Sequence, residues 1–147
     1  MSYIDIDLSG YIEPQVIKGL DQVYTLKIVS IEEKEGVSEK KNKPYHTLDI
    51  LCKVTDSEVE NPQLVRKTLF LLTGEETSDQ VQSTIGNIRR FKKAIGDVGV
   101  DGEPTKGIDT DSWINCEFKA KLGLEHSDEF GDRNTIKRIV MSAPEAF

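Results

Sequence analysis

The 147-residue chain is long enough for one domain with a real hydrophobic core and too short for two ordinary ones. Hydrophobic residues make up 37% and charged residues 31%, and no apolar run approaches the roughly 18 residues of a membrane span, so a membrane role is not expected. The formal net charge of −7 argues against an undifferentiated electrostatic grip on a polyanion.

The first segment, MSYIDIDLSGYIEPQ, lacks a basic start followed by a continuous apolar stretch, so it does not read as a secretory signal. Residues 1 to 23 are expected to be an extension preceding a core of about residues 20 to 142 within a single domain. Residues 24 to 32 (YTLKIVSIE) alternate through Tyr24, Leu26 and Ile28, then change phase at Val29, as a strand with a bulge does. Residues 45 to 55 (YHTLDILCKVT) place Leu48, Ile50, Cys52 and Val54 on one face of a second strand and Thr47, Asp49, Leu51 and Lys53 on the other. After the turn residues of TDSEVENPQ, residues 65 to 72 (VRKTLFLL) read as a third strand whose phase is ambiguous.

Val81, Ile85, Ile88, Phe91 and Ile95 then recur at helical spacing. Thr77 with Gln80 fits a capping box and Gly96 a left-handed stop, so the helix is predicted over residues 78 to 95. Residues 113 to 122 (WINCEFKAKL) alternate with Ile114, Cys116, Phe118, Ala120 and Leu122 inward as a fourth strand. The turn region EHSDEFGDRN leads to a fifth strand over residues 135 to 142. Cys52 and Cys116, the only cysteines, both fall on apolar phases, which suits reduced core thiols in a cytoplasmic protein better than a disulfide.

Three strands, a helix and two strands is the element order of a mainly β, five-stranded Greek-key barrel of the oligonucleotide/oligosaccharide-binding (OB) type, with the helix between strands three and four. In that fold the loops between strands one and two and between strands four and five flank the ligand face. The charge pattern agrees. Residues 34 to 53 hold five lysines against three acids, and residues 64 to 93 hold six basic groups against three acids. Lys40, Lys41, Lys43 and Tyr45 would form one rim, Phe130 and Arg133 the other, and Lys53, Arg66 and Lys67 would extend the groove along strands two and three. Cations would follow phosphates and aromatics would stack on bases, at about 1–3 kcal/mol per stacked base, with little regard to sequence. A plain solvated loop is the alternative for the lysines.

Other features read as structure. Arg89, Arg90, Lys92 and Lys93 complement the helix dipole. Trp113 is assigned to packing. His46, Cys52, Cys116 and His126 show neither CxxC nor HxxxH spacing, GEPTKG lacks the phosphate-loop pattern, and the acids have no nucleophile or histidine partner in a catalytic arrangement. No metal, cofactor or enzymatic activity is expected.

The basic first loop ending in KPYHTLDI, the helix IGNIRRFKKAIG and the run FGDRNTIKRI together resemble small phage-encoded barrel proteins of replication and recombination, including phage single-stranded DNA-binding proteins, over roughly residues 20 to 142. The resemblance implies a protein that coats and protects single-stranded DNA, works beside replication or recombination proteins in the host cytoplasm, and can form homo-oligomers. Many such proteins end in a strongly acidic tail that recruits partners, whereas this sequence ends SAPEAF, with Glu145 as its one charge. A module that grips a peptide or protein subunit with the same barrel face is the alternative function.

Overall fold

The computed structural model describes residues 2–129 and 131–141. It is mainly β. Five strands, β1 (Val23–Val37), β2 (Pro44–Val54), β3 (Val65–Phe70), β4 (Glu117–Ser127) and β5 (Gly131–Val140), form one antiparallel sheet in the order β3-β2-β1-β4-β5. Helix α1 (Ser78–Ile95) and a single helical turn, α2 (Thr110–Trp113), lie between β3 and β4. No helix among the described residues is long and apolar enough to cross a membrane.

β1 organises the sheet because it serves two partners. Its first residues pair with β4 and the rest with β2, with Leu26 and Lys27 shared by both. The ladder to β2 slips between Ile28 and Ser30, so Val29 is the extra residue, the phase change expected from the sequence. A bulge bends its strand and adds local twist. The sheet curls until its edge strands, β3 and β5, bring Cα atoms within 8 Å of one another, without becoming hydrogen-bonded neighbours.

The interior is lined by Tyr24, Leu26 and Ile28 of β1, the predicted face of β2, Val65 and Leu69 of β3, and Phe118, Ala120 and Leu122 of β4. Helix α1 has the predicted bounds. Thr77 Oγ1 accepts from the Gln80 N–H, the Gln80 side chain accepts from the Thr77 N–H, and Gly96 ends the helix at φ 82°. Only its C-terminal half is fully seated: Phe91 and Ile95 are buried, while Ile85 is exposed. Phe91 stands edge-on to both Trp113 and Phe118, with ring centroids 5.4 and 5.5 Å apart.

Two expectations, the starts of the fourth and fifth strands, are corrected here. The fourth strand begins at Glu117, because residues 110–113 turn as a helix and Asn115 takes a left-handed φ of 73°. Trp113 therefore precedes the strand, fully buried, with its indole N–H donating to Asp97 Oδ2 at 2.8 Å. The fifth strand begins at Gly131, so the expected ten-residue turn region is a tight hairpin, Ser127 pairing with Gly131. Lys92 lies in the last turn of α1, as expected of a cation that complements the helix dipole, and it also binds the loop that follows. It is buried, and its ammonium donates to the carbonyls of Thr105 and Gly107 and approaches Asp97 Oδ2 at 3.5 Å. Asp97, which also accepts from the Thr105 hydroxyl at 2.7 Å, thus ties the loop after α1 to the core. Burial pushes its carboxyl up, but the bonds from Trp113, Thr105 and Lys92 outweigh that and hold it below the usual aspartate value.

The N-terminal extension is partly anchored. Gln15 bridges to Pro62, the Asn61 amide donates to the Ile12 carbonyl at 2.6 Å, and Ile17 joins the core. Buried Asn134 of β5 holds Ile17 from both sides, its Oδ1 accepting from the Ile17 N–H at 2.7 Å and its Nδ2 donating to the Ile17 carbonyl at 2.9 Å.

The two thiols differ. Cys52 is wholly buried and its pKa is pushed up to about 12 by that burial, whereas Cys116 is half-buried and raised first by burial and then by Asp97. Only the thiolate reacts. The native protein is therefore expected to leave Cys52 unlabelled by an aromatic disulfide reagent and to label Cys116 slowly, with both reacting at once in denaturant. Equal native rates would place Cys52 wrongly.

Candidate nucleic-acid interface

The lysine-rich stretch is the tip of a long hairpin. β1 runs to Val37 and β2 starts at Pro44, which leaves residues 38–43 to turn the chain. The Ser38 N–H donates to the Lys43 carbonyl at 2.8 Å, the Asn42 N–H donates to the Ser38 carbonyl at 2.7 Å, and Asn42 supplies the left-handed φ of 50°. Lys40, Lys41 and Lys43 are exposed and form no ion pair among the described residues.

Behind the tip, the register Gly36 to Tyr45 lays the tyrosine ring over a residue without a side chain. A Cβ added to Gly36 would sit 2.9 Å from the Tyr45 hydroxyl. The ring is held flat on the sheet yet 41% exposed. Thr47 pairs with Phe70 of β3, whose side chain is 64% exposed on the same outer face. A groove of ≈ 780 Å³ lies between this hairpin and the start of α1, with Lys41, Lys43, Tyr45 and Phe70 on one side and Glu75, Glu76 and Gln80 on the other. Phe70 was not singled out in the sequence, although a phase through Val65, Lys67 and Leu69 would have turned it outward.

Charge on the two walls is unequal. Glu76 is held at about 2 chiefly by the Thr73 backbone N–H, with the Thr73 hydroxyl and the Gly74 N–H adding to it and burial opposing, so it stays ionised at any ordinary pH. A polyanion would therefore run its phosphates along the lysine side. Farther down the outer face, Lys34 meets Asp49 at 2.7 Å, and that contact depresses the aspartate and raises the lysine. The one acid of β2 is thus neutralised where it would face a ligand.

The remaining predicted residues divide. Lys53 and Arg66 are exposed on the outer β2–β3 face, where Arg66 pairs with Leu51, and they lie toward the end of the face remote from the lysine hairpin. That remote end is where the β4–β5 hairpin stands, since the Gln63 amide approaches the Asp132 carbonyl at 3.4 Å. The two hairpins therefore flank β2 and β3 from opposite ends. Arg133 belongs to β5 rather than to a loop, and its guanidinium is paired with Glu125 at 3.1 Å. Phe130 lies outside the described residues, as does the final SAPEAF stretch. Lys67 does not extend the outer groove. It pairs with Ile50, so it shares the interior-facing phase of Val65 and Leu69 and opens on the opposite side of β3 from Arg66.

The four imagined metal ligands are not brought together. His46 instead meets Glu33 at 2.8 Å and Glu35 at 3.5 Å across the hairpin, and Cys52 lies in the core. The Glu33 hydrogen bond raises the His46 pKa above 6.5, partly opposed by burial. A raised histidine pKa adds stability that is complete below about pH 6.5 and disappears as pH climbs through the folded-state value. The melting temperature of the wild type should accordingly exceed that of His46→Gln most at about pH 6 and by progressively less toward pH 8.5. A difference that grows with pH would reverse the sign and refute the pairing.

No family model matches the chain, and no curated protein shows significant similarity to it.

Proposed function

We propose that the protein is a sequence-tolerant single-stranded DNA-binding protein of phage type, built on an OB barrel and acting without catalysis to coat exposed strand during replication or recombination. The barrel reading is supported by the element order and by the approach of β3 to β5, which would close the sheet on itself. The observation that carries the function is the pairing of two exposed aromatics, Tyr45 and Phe70, with the free cations Lys41 and Lys43 along one groove. Exposed aromatics beside unpaired lysines cost a soluble protein solubility and gain it nothing in the core, whereas bases and phosphates use both. A peptide ligand is the second reading. It is favoured by Glu75 and Glu76 on the opposite wall, which suit a basic segment.

Labelled oligo-dT and a matched duplex, titrated at about 50 mM salt, separate these readings. Tight binding of oligo-dT with much weaker binding of duplex is expected. Equal affinity for both, or for neither, overturns the strand reading and favours the peptide. Replacing Lys40, Lys41 and Lys43 together with alanine should lower the dependence of log affinity on log salt by about 2, because each lost single-strand phosphate contact removes about 0.7 from the slope. An unchanged slope would make the hairpin tip a solvated turn.

A further inference from the structure

A second cleft, of ≈ 430 Å³, opens on the other side of β3, where β3 and β5 lie side by side without ladder hydrogen bonds and Asn87, Arg90 and Phe91 of α1 complete the lining. Its polar lining includes four cations drawn from three elements: Lys67 of β3, Arg90 of α1, and Lys137 and Arg138 of β5. Among the described residues no carboxylate lines it. The contrast with the rest of the molecule is informative. Lys34, Arg89, Lys92 and Arg133 each meet an acid, while none of the four cleft cations is in an ion pair among the described residues. Like charges gathered in an acidic protein repel one another, and only a counter-charge relieves that.

Lys67 makes the case specific. It occupies an interior-facing position between buried Val65 and Leu69, where an apolar residue would complete the core. It is half-buried, and desolvation pushes its ammonium pKa down. A charge taken partly out of water with no partner is unfavourable in the empty protein. Arg90 is steadied by a hydrogen bond from its guanidinium to the side-chain Oδ1 of Asn87, and Phe91 and Ile139 supply apolar walls. The volume falls within the about 300–1,000 Å³ typical of small-ligand sites. A compact anion with several acceptor oxygens suits a lining in which half-buried Lys67 is accompanied by the exposed cations Arg90, Lys137 and Arg138, two of them with planar guanidinium forks.

We propose that the β3–β5 cleft binds a phosphate group. The inference stands apart from the strand reading of the groove, because the phosphate can come from the backbone of a bound strand or from a free phosphate compound.

Backbone-amide NMR of the whole chain, titrated with sodium pyrophosphate, tests it. Saturable shifts are expected at Lys67, Arg90, Lys137 and Arg138, with at least a tenfold loss of affinity in Lys67→Gln/Arg138→Gln. Shifts that never saturate, or that saturate equally in the double variant, overturn the proposal. Pyrophosphate should also raise the melting temperature of the wild type. Without ligand, Lys67→Met should melt roughly 2–4 °C higher than the wild type, as expected when an unpaired half-buried charge is removed. If Lys67→Met and Lys67→Gln both melt lower, and pyrophosphate leaves the wild type unmoved, Lys67 is structural and the proposal fails. A parallel titration with oligo-dT identifies the source. Movement of the same amides, with a salt slope reduced by about 1.4 in the double variant, assigns the phosphate to the strand. Pyrophosphate binding with those amides unmoved by oligo-dT assigns it to a free phosphate compound, and the groove's own reading is then judged by its duplex control.

Discussion

Replacing Trp113 with alanine should destabilise the protein by about 3–5 kcal/mol, a large part of the roughly 5–15 kcal/mol that holds a domain of this size. The indole is fully buried against Phe91, and its N–H is a donor to Asp97. Truncation therefore removes both the packing that seats α1 and one of the bonds that offset burial of the Asp97 carboxylate. Trp113→Phe separates the two contributions: it keeps most of the ring contact, loses the hydrogen bond and should cost only about 1–2 kcal/mol. Urea unfolding followed by circular dichroism is the appropriate measurement, because the chain has a single tryptophan and the variants lose its fluorescence. A cost below about 1 kcal/mol for the alanine variant would show that the loop and helix find their places without the indole.

Binding should respond most to the two exposed aromatics. Phe70→Ala and Tyr45→Ala are each expected to weaken oligo-dT binding by about 1–3 kcal/mol, or roughly 5- to 150-fold, with the salt slope nearly unchanged. The stability controls differ between them. Phe70 is largely exposed, so its removal should shift stability by no more than about 0.5 kcal/mol, whereas Tyr45 also covers Gly36 and its loss should loosen the hairpin. Phe70→Ala is the cleaner test for that reason. A Phe70→Ala protein that binds like the wild type would remove stacking from the mechanism and leave the groove with charge alone.

Much of this architecture was written in local patterns. The helix bounds could be read because Thr77, Gln80 and Gly96 act within one turn of the residues they cap, and the bulge at Val29 because a phase change is local too. The start of β4 could not be read this way. Ile114 and Cys116 are half-buried and pack against the core from a helical turn followed by a left-handed Asn115, so they imitate strand alternation. The burial of Lys92 and the inward phase of Lys67 were hidden for a related reason. A lysine at a helix end or among strand residues looks solvated unless the distant carbonyls of Thr105 and Gly107, or an unpaired seam between β3 and β5, are known to lie beside it. The lysine hairpin and Tyr45 were found from composition, while Phe70 was hidden by the unresolved phase of the third strand.

The clamp between Ile17 and Asn134 spans 117 positions of the chain. At the roughly 5–20 residues per second of synthesis, residue 17 is made about 6–23 s before its partner. Throughout that interval the segment ahead of β1 has its contacts with Asn61 and Pro62, and the β1–β2 hairpin must form and persist while Ile17 lacks its clamp. The Ile17 clamp is thus among the last contacts of the molecule to settle, and a ribosome stalled before β5 should leave the residues around Ile17 more open to proteases than the hairpin.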